Sequence, residues 1–415
     1  MLRPQVTFLV ALFLFPISSV YGENAVPLPV FGILSQPYTS EDDSNNLSQH
    51  EENSTYVAAS YVKWLEDGGA RSIPIPFDAS PTLVRSILEQ VDGVLFPGGA
   101  SSLPSSAITI WNELHSQKYY YPVEDNAVAD RIPLWGTCLG MEFIVQLAAD
   151  AMEQECDNSC NRSILESGYD STNISLPLLD VVRTDLYRPD SIYDIVTKYN
   201  VTMNNHHLGI SPKRFKGNPG LSRRFVATSV NYDRNGKAFV STIEPLKQKV
   251  TNEASSSLLS SMAYLPPPVY GVQYHPEKNS HEYGLSPNTS IPYEAIDHTP
   301  EGIAFSLYEA RFLVNLARDN ILARRQRGSD RGDNKYETNK YNRPDLYPMI
   351  YTYPRKVGYK FEEIYIIPPA SHWENKIKNK NENDHDVEEI RDGLLNRDRE
   401  VTISMLRRKP KDPKH

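Results

Sequence analysis

The amino-acid sequence predicts an α/β fold in which a mostly parallel central sheet is covered by helices on both faces. In the first third of the chain, short apolar runs alternate with segments of helical periodicity, the pattern of strands joined by helical crossovers. In the second half, the turn sequence Asp-Arg-Asn-Gly at 233–236 lies between two apolar runs and predicts a β-hairpin added to the sheet. A chain of 415 residues can bury a large core, in one domain or two.

Most of the predicted elements end at a recognisable turn or cap. Ser80 is expected to cap a helix with Pro81 at its first position, and Gly68-Gly69 is expected to end the preceding helix. From Thr299 onwards, an apolar stripe at helical spacing indicates a long helix packed on the core. The predicted strands are 29–34, 70–75, 93–96, 132–135, 225–230, 238–243, 269–274 and 361–367, and the other predicted helices are 56–66, 80–91, 105–130 and an Ala-rich run that ends at 149.

Charge and hydropathy exclude some partners. The net charge of −9, with 23% charged residues, does not suggest a nucleic-acid binder. Residues 1–22 have the features of a secretory signal peptide, with Arg3, an apolar run over 6–17 and small residues near position 22. No later run reaches about 18 apolar residues, the length that spans a bilayer. We therefore expect a secreted or lysosomal/vacuolar protein with no membrane attachment after signal cleavage, an uncleaved anchor being the alternative.

Two further features fit the secretory pathway. Cys156 and Cys160 are close enough in sequence to form a disulfide in a small loop, which would leave Cys138 as an unpaired thiol. Six Asn-x-Ser/Thr sequences are candidates for N-glycosylation, at Asn46, Asn53, Asn161, Asn173, Asn200 and Asn288.

Composition also suggests how the chain is divided. After the signal peptide, residues 23–368 form the main domain, in which the polar loop 35–54 is expected to face solvent and 324–340 to be a flexible connector. The apolar-poor tail 369–415 is expected to be disordered. Arg331-Gly332-Asp333 has the sequence of an integrin-binding tripeptide, but in a charged loop it is far more often a chance match. The sequence leaves a homodimer open.

The rest of the chain is organised around Gly136-Thr137-Cys138-Leu139-Gly140. An apolar strand precedes this segment and a helical pattern follows it, which is the arrangement of a nucleophile elbow with cysteine in place of serine. The glycines allow a sharp turn close to neighbouring backbone. Free N–H groups at the start of the helix stabilise a thiolate and a developing oxyanion. Cys138 is therefore the candidate nucleophile, with a buried structural cysteine as the alternative.

A cysteine nucleophile needs a base, and His275 is the best candidate among ten histidines. It ends an apolar strand, where parallel sheets form their sites, and Glu277 follows closely enough to fix the tautomer of the imidazole. The expected oxyanion donors are the backbone N–H groups of Gly99, which also follows a strand, and of Leu139.

His206-His207 is a second polar cluster. Adjacent histidines point in different directions and no carboxylate or cysteine lies at ligand spacing, so a metal site is not predicted. A surface loop and a substrate contact remain the two interpretations, and the substrate contact is favoured.

Three motifs resemble those of class I glutamine amidotransferase-like hydrolases, and within that superfamily the γ-glutamyl hydrolase family. The motifs are Pro97-Gly98-Gly99, Gly136-Thr137-Cys138-Leu139-Gly140-Met141-Glu142 and Val272-Gln273-Tyr274-His275-Pro276-Glu277-Lys278, and the resemblance extends from about 29 to 367 with Tyr56-Val57-Ala58-Ala59-Ser60-Tyr61-Val62-Lys63 included.

The resemblance implies a flavodoxin-like α/β core and a catalytic site of Cys138, His275 and Glu277 that cleaves folylpoly-γ-glutamates, small poly-γ-glutamyl molecules. It implies no metal or cofactor, and a lysosomal or secreted location. His206 would help to hold the substrate near the nucleophile, and Tyr56 would line the glutamyl pocket.

Glu142 distinguishes the peptidase branch of the superfamily, which carries glutamate at this position, from the true amidotransferases. A carboxylate at this position could pair with the α-amino group of a glutamyl residue, whereas true amidotransferases usually carry glutamine; a solvated glutamate in the first helical turn is the alternative. Two rival functions remain, a glutaminase or amidotransferase subunit that releases ammonia and a non-enzymatic secreted binding protein.

The chain departs from the family in three places. These are its long tail, its 36–54 loop and Leu208, where relatives tend to have an aromatic residue.

Overall fold

The fold is built on a seven-stranded sheet, with two smaller sheets at its edges. The computed structural model describes residues 28–37, 53–116, 131–150, 164–246, 267–286, 289–331, 346–357 and 361–379. The strands in these segments are β1 (Val30–Leu34), β2 (Gln36–Pro37), β3 (Thr55–Ala58), β4 (Arg71–Ile75), β5 (Gly93–Phe96), β6 (Leu134–Thr137), β7 (Ser171–Leu176), β8 (Thr202–His206), β9 (Phe225–Tyr232), β10 (Ala238–Pro245), β11 (Val269–Val272), β12 (Arg355–Lys356) and β13 (Ile364–Ile367).

The large sheet has the order β4-β1-β5-β6-β11-β10-β9. Its first five strands are parallel, and every residue of β1, β5, β6 and β11 is buried, as expected of strands covered on both faces. β9 and β10 are the predicted hairpin, joined by a turn in which Gly236 adopts φ +78°. The predicted α/β fold with a mostly parallel sheet and a hairpin addition is therefore confirmed.

Helices cover the sheet in two groups whose members contact one another. One group contains α1, α5, α8 and α9, and the other contains α2, α3, α4, α6 and α7. Ser80 caps α2 as predicted, since its side chain accepts a hydrogen bond from Leu83 N–H. The helices are α1 (Ala59–Asp67), α2 (Pro81–Leu88), α3 (Ser105–Leu114), α4 (Leu139–Asp150), α5 (Asp190–Lys198), α6 (Pro212–Gly217), α7 (Pro219–Ser222), α8 (Lys278–His281) and α9 (Pro300–Arg331).

The helix predicted over 56–66 begins later than expected, at Ala59. The preceding residues, Thr55-Tyr56-Val57-Ala58, form β3, which pairs with β13 so that Tyr56 lies opposite Ile366. Aromatic and β-branched residues favour a strand when a partner is present, and here the partner comes from more than 300 positions further along the chain. The second sheet that results has the order β12-β13-β3-β2.

The start of the loop predicted to face solvent is buried instead. Ser35 is fully buried and Gln36 is 2% exposed, because β2 pairs with β3 directly after β1 ends. The rest of that loop, 38–52, lies outside the described residues.

Two predicted flexible segments are partly helical. α9 continues to Arg331, so 324–331 is not part of a connector; the run Leu-Ala-Arg-Arg-Gln-Arg at 322–327 consists of strong helix formers. Residues 370–379 are also helical, and Trp373 is buried against Tyr347 and Tyr353. The predicted helix 105–130 ends at Leu114 as far as it is described.

Several predictions concern residues outside the described segments. They include the signal peptide, the Cys156–Cys160 pairing, three glycosylation candidates (Asn46, Asn161 and Asn288), Gly332-Asp333 and the tail after 379. Among the described helices, none is long and apolar enough to cross a membrane.

Candidate active site

Cys138 occupies the sharp turn between β6 and α4 at the carboxyl edge of the sheet. Its φ of 51° lies in the left-handed region, a strained conformation for a non-glycine residue and the one expected of a nucleophile elbow. A Cβ on Gly140 would lie 2.0 Å from Phe96 O, and one on Gly136 would lie 2.6 Å from Gly140 O. The two glycines are therefore required by close packing of the turn against β5 and against α4 itself.

His275 follows β11, the neighbouring strand of β6, and comes close to Cys138. Its Nδ1 lies 2.8 Å from Glu277 Oε1, and both side chains are buried. The ideal position of a Cβ on Gly98 is 2.6 Å from His275 Cε1 and 3.4 Å from Cys138 Cβ, so both side chains border this one residue. Because Nδ1–H donates to the carboxylate, the lone pair of the imidazole is on Nε2. The structure thus brings together the three residues predicted as nucleophile, base and orienting carboxylate.

The two predicted oxyanion donors border the same space. Leu139, the first residue of α4, lines the cavity beside Cys138, and its backbone N–H lowers the pKa of the Cys138 thiol, against the larger effect of burial, which raises it. Gly99 lines the cavity above Cys138, and a Cβ on it would lie 2.6 Å from Oε1 of Gln36. Glycine at this position leaves room for Gln36, whose Oε1 also accepts a hydrogen bond from Ser101 Oγ at 3.0 Å.

Burial of the thiol and a neighbouring carboxylate both favour the protonated form of Cys138. Burial, followed by the negative charge of Glu142, raises the pKa of the Cys138 thiol well above its ordinary value. Burial also raises the pKa of Glu142 to about 7. Gln273 Nε2 lies between the two groups, 3.1 Å from Glu142 Oε1 and 3.8 Å from the sulfur. Both causes favour a neutral thiol, whereas the sequence predicted that the helix start would favour a thiolate.

A cavity of about 880 Å³ opens over Cys138 and extends to the predicted substrate contacts. Tyr56, His206 and Glu142 all line it. His206 ends β8 and donates from Nδ1 to Leu208 O at 2.7 Å, while its Nε2 is buried without a hydrogen-bond partner. Burial lowers the pKa of His206 to about 4, so the ring is neutral above that pH and Nε2 is an acceptor.

One wall of the cavity consists of segments that are distant in sequence. Lys278 Nζ lies 2.6 Å from Glu294 Oε1, and Asn205 Nδ2 donates to the same oxygen at 3.0 Å. Phe361 packs against Tyr56 with ring centroids 6.0 Å apart, and Lys278 lies over the Phe361 ring at 5.6 Å. An ion pair and two aromatic rings therefore fix this wall.

Several of these residues were not predicted to belong to the site. Gln36 comes directly after the carboxyl end of a parallel strand, and Gln273 and Lys278 flank His275, so strand position could have identified all three. Glu294 and Phe361 lie in segments whose pairing depends on the fold and carry no local signal.

No group of three or more metal-ligating side chains occurs in the described part of the chain. His206 and His207 both donate from Nδ1 to backbone carbonyls, of Leu208 and Tyr169 respectively.

A parallel sheet that ends at a thiol and an imidazole is the architecture of the class I glutamine amidotransferase-like hydrolases. Residues 29–211 match the Peptidase C26 family. The chain is 30% identical to γ-glutamyl hydrolase B of Dictyostelium discoideum over 92% of its own length and 94% of that protein's. It is 29% identical to γ-glutamyl hydrolase 1 of Arabidopsis thaliana, covering 85% of this chain and 86% of the relative, and 29% identical to human γ-glutamyl hydrolase, covering 73% and 82%. The chain belongs to the γ-glutamyl hydrolase family.

Proposed function

We propose that this protein is a cysteine hydrolase of γ-glutamyl amide bonds and that folylpoly-γ-glutamates are its main substrates. The observation that carries the proposal is the proximity of Cys138 and His275 at the carboxyl edge of the sheet, beneath a cavity of about 880 Å³. That volume is within the range of pockets that bury a ligand larger than one amino acid. The family relationship supplies the bond type.

Because burial favours the neutral thiol, the proton must leave as the sulfur attacks. His275 Nε2 accepts it, and Glu277 stabilises the imidazolium that forms. The sulfur adds to the γ-carbonyl carbon, and the oxyanion accepts hydrogen bonds from the N–H groups of Gly99 and Leu139. Collapse forms the thioester and breaks the C–N bond, and His275 returns the proton to the departing amine. Water activated by the same imidazole then hydrolyses the acyl-enzyme.

The cavity offers matching partners for a γ-glutamyl group. The carboxylate of Glu142 suits the α-ammonium group, and an ammonium beside it offsets the charge that raises the thiol pKa. His206 Nε2 is an unsatisfied buried acceptor that suits an N–H of the substrate. Tyr56 contributes an aromatic surface to the same space.

One incubation tests the activity against the glutaminase alternative. The purified protein is incubated with pteroylpentaglutamate and, separately, with free glutamine, and the products are separated by chromatography. We expect shortened folates or released glutamate from the first substrate and little ammonia from the second. Ammonia from glutamine without folate shortening would contradict the proposal.

We also propose that the protein enters the secretory pathway and is secreted or lysosomal/vacuolar. The N-terminal sequence supports this location, as do Asn53, Asn173 and Asn200, which are exposed acceptor candidates. Treatment of the protein from its natural cells with an N-glycosidase should lower its apparent mass. An unchanged mass together with a retained N-terminus would contradict the location.

A further inference from the structure

The hydroxyl of Tyr61 lies where the oxyanion loop, defined as Pro97-Gly98-Gly99, meets the catalytic histidine. Tyr61 is in the first turn of α1 and is 2% exposed. Its oxygen is 2.8 Å from Gly98 N and 3.4 Å from His275 Nδ1. One side chain therefore contacts both halves of the site, and the proposed mechanism assigns it no role.

The donors and acceptors around this hydroxyl can be assigned. Gly98 N–H donates to the hydroxyl oxygen, because a backbone N–H can only donate. His275 Nδ1 carries a proton that it donates to Glu277 at 2.8 Å, so it does not accept the hydroxyl proton of Tyr61. Burial, followed by the negative charge of Glu277, raises the pKa of the Tyr61 hydroxyl well above its ordinary value, so the hydroxyl keeps its proton. The hydroxyl thus accepts a hydrogen bond from the backbone of the oxyanion loop and lies next to the imidazole of the base.

This connection fixes a part of the backbone that is otherwise free to rotate. Two consecutive glycines carry no side chains to anchor them and have wide φ and ψ freedom. Gly98 has room for no side chain, since a Cβ there would lie 2.6 Å from His275 Cε1 and 2.9 Å from the Tyr61 hydroxyl. The direction of the Gly99 N–H depends on the peptide that joins it to Gly98, and Tyr61 holds the preceding N–H of that segment.

We propose that Tyr61 is a positioning residue that keeps the Gly99 N–H aimed at the oxyanion of the proposed γ-glutamyl hydrolysis. Tyr61 itself touches neither the sulfur nor the substrate. Since an oxyanion donor acts on the transition state and not on substrate binding, the hydroxyl contributes to kcat and leaves KM nearly unchanged.

The test is the substitution Tyr61→Phe, which removes one oxygen atom and keeps the ring. We expect kcat for pteroylpentaglutamate to fall about 10- to 100-fold, since complete loss of an oxyanion donor costs about 10²- to 10³-fold. KM should stay within about twofold of wild type. The rate at which iodoacetamide alkylates Cys138 should also stay within about twofold, because alkylation needs the thiol and the base but no oxyanion hole. A merely structural role would lower turnover and alkylation together.

Tyr347→Phe is the matched control. The Tyr347 hydroxyl is also buried and hydrogen-bonded, to Ser86 Oγ, and Tyr347 does not line the cavity. This variant should lose a similar amount of stability and keep its kcat. If Tyr61→Phe does not fold, Tyr61→3-fluorotyrosine keeps the hydroxyl with a weaker acceptor oxygen and should give a smaller loss of kcat.

Unchanged kcat in the folded variant, or equal losses of kcat and alkylation rate, would overturn the inference. The inference about Tyr61 rests on the proposed function, but a different result would contradict each of them. If the wild-type protein does not shorten pteroylpentaglutamate, the proposed function is wrong; if it does and Tyr61→Phe matches it, only the role of Tyr61 is wrong.

Discussion

The two sides of the cavity are built in different ways. The side that we call the thiol wall consists of Gly99, Cys138 and His275, which follow three adjacent parallel strands of the large sheet. The side that we call the outer wall consists of Tyr56, Lys278, Glu294, Leu208 and Phe361, which come from the second sheet, the short helix α8 and loops. The thiol wall is held by backbone pairing, whereas the outer wall is held by an ion pair and by ring contacts.

The difference separates chemistry from recognition. Strand register leaves the thiol wall little freedom, and register is the most precise support that a protein offers to reacting groups. Side-chain contacts between distant segments hold the outer wall, and these contacts can change without moving the sheet. We therefore expect substitutions in the thiol wall to affect turnover, and substitutions in the outer wall to affect stability and KM.

The largest effect is expected for Cys138→Ala. Turnover of pteroylpentaglutamate should fall by at least about 10⁴-fold, because the covalent route is lost. Alanine at φ 51° has the same backbone strain as cysteine, so the melting temperature should stay close to that of the wild type. Steady-state assays and calorimetric melting measure the two quantities. Substantial activity in a folded variant would remove the distinction between the walls.

In the outer wall, the ion pair between Lys278 and Glu294 should affect stability more than any other contact. Lys278→Met leaves the Glu294 carboxylate buried without its cation, which costs about 3 to 5 kcal/mol of unfolding free energy. The double variant Lys278→Met with Glu294→Gln removes both charges and should recover most of that loss. Urea unfolding of the two variants measures it. Equal destabilisation of the single and double variants would show that packing, and not charge, fixes the outer wall.

Glu142 lies between the walls and should link turnover to thiol reactivity. Glu142→Gln removes the proposed partner of the substrate's α-ammonium group, a charged hydrogen bond worth about 2 kcal/mol, so KM should rise roughly 30-fold. The same change removes the negative charge that raises the Cys138 pKa, so iodoacetamide should alkylate the thiol faster at pH 8. A kcat/KM that falls, through the higher KM, while the alkylation rate rises is the expected result. A fall in both would indicate that Glu142 supports the structure of the turn.

The stability of the same variant should depend on pH. Burial raises the pKa of Glu142 from its ordinary 4.5 to about 7 in the folded protein. Between these pH values the folded chain keeps a proton that the unfolded chain releases, so the free energy of unfolding falls as pH rises through this window. Glu142→Gln lacks this effect and should be more stable than wild type at pH 8, by on the order of 3 kcal/mol, with little difference at pH 4. Urea unfolding at both pH values measures the change.

The contrast between the thiol wall and the outer wall also explains which parts of the fold and of the site could be predicted from the sequence. The α/β class and the positions of Cys138 and His275 were predictable, because a turn that follows an apolar run has a local signature. The strand character of Tyr56 was not, since β3 forms only by pairing with β13 from the far end of the domain. The place of Glu294 in the cavity could not be predicted either, because its ion pair with Lys278 depends on how a loop packs against α8.

The protonation of the thiol was beyond sequence reasoning for a related reason. The helix start after Cys138 favours a thiolate, and this effect could be predicted from the sequence. Full burial of the sulfur and the charge of Glu142, which outweigh it, depend on how several elements pack around the turn.

The smallest effect is expected at Leu208, which is 40% exposed at the edge of the outer wall. Its backbone carbonyl holds His206, so substitution of the side chain leaves that hydrogen bond in place. Leu208→Tyr adds an aromatic ring, and an aromatic pair contributes about 0.5 to 1.5 kcal/mol beyond burial of area. KM for pteroylpentaglutamate should therefore fall roughly threefold, while KM for pentaglutamate without the pteroyl group stays the same. Equal changes for both substrates would mean that the outer wall contacts the glutamyl chain and not the aromatic end of the folate.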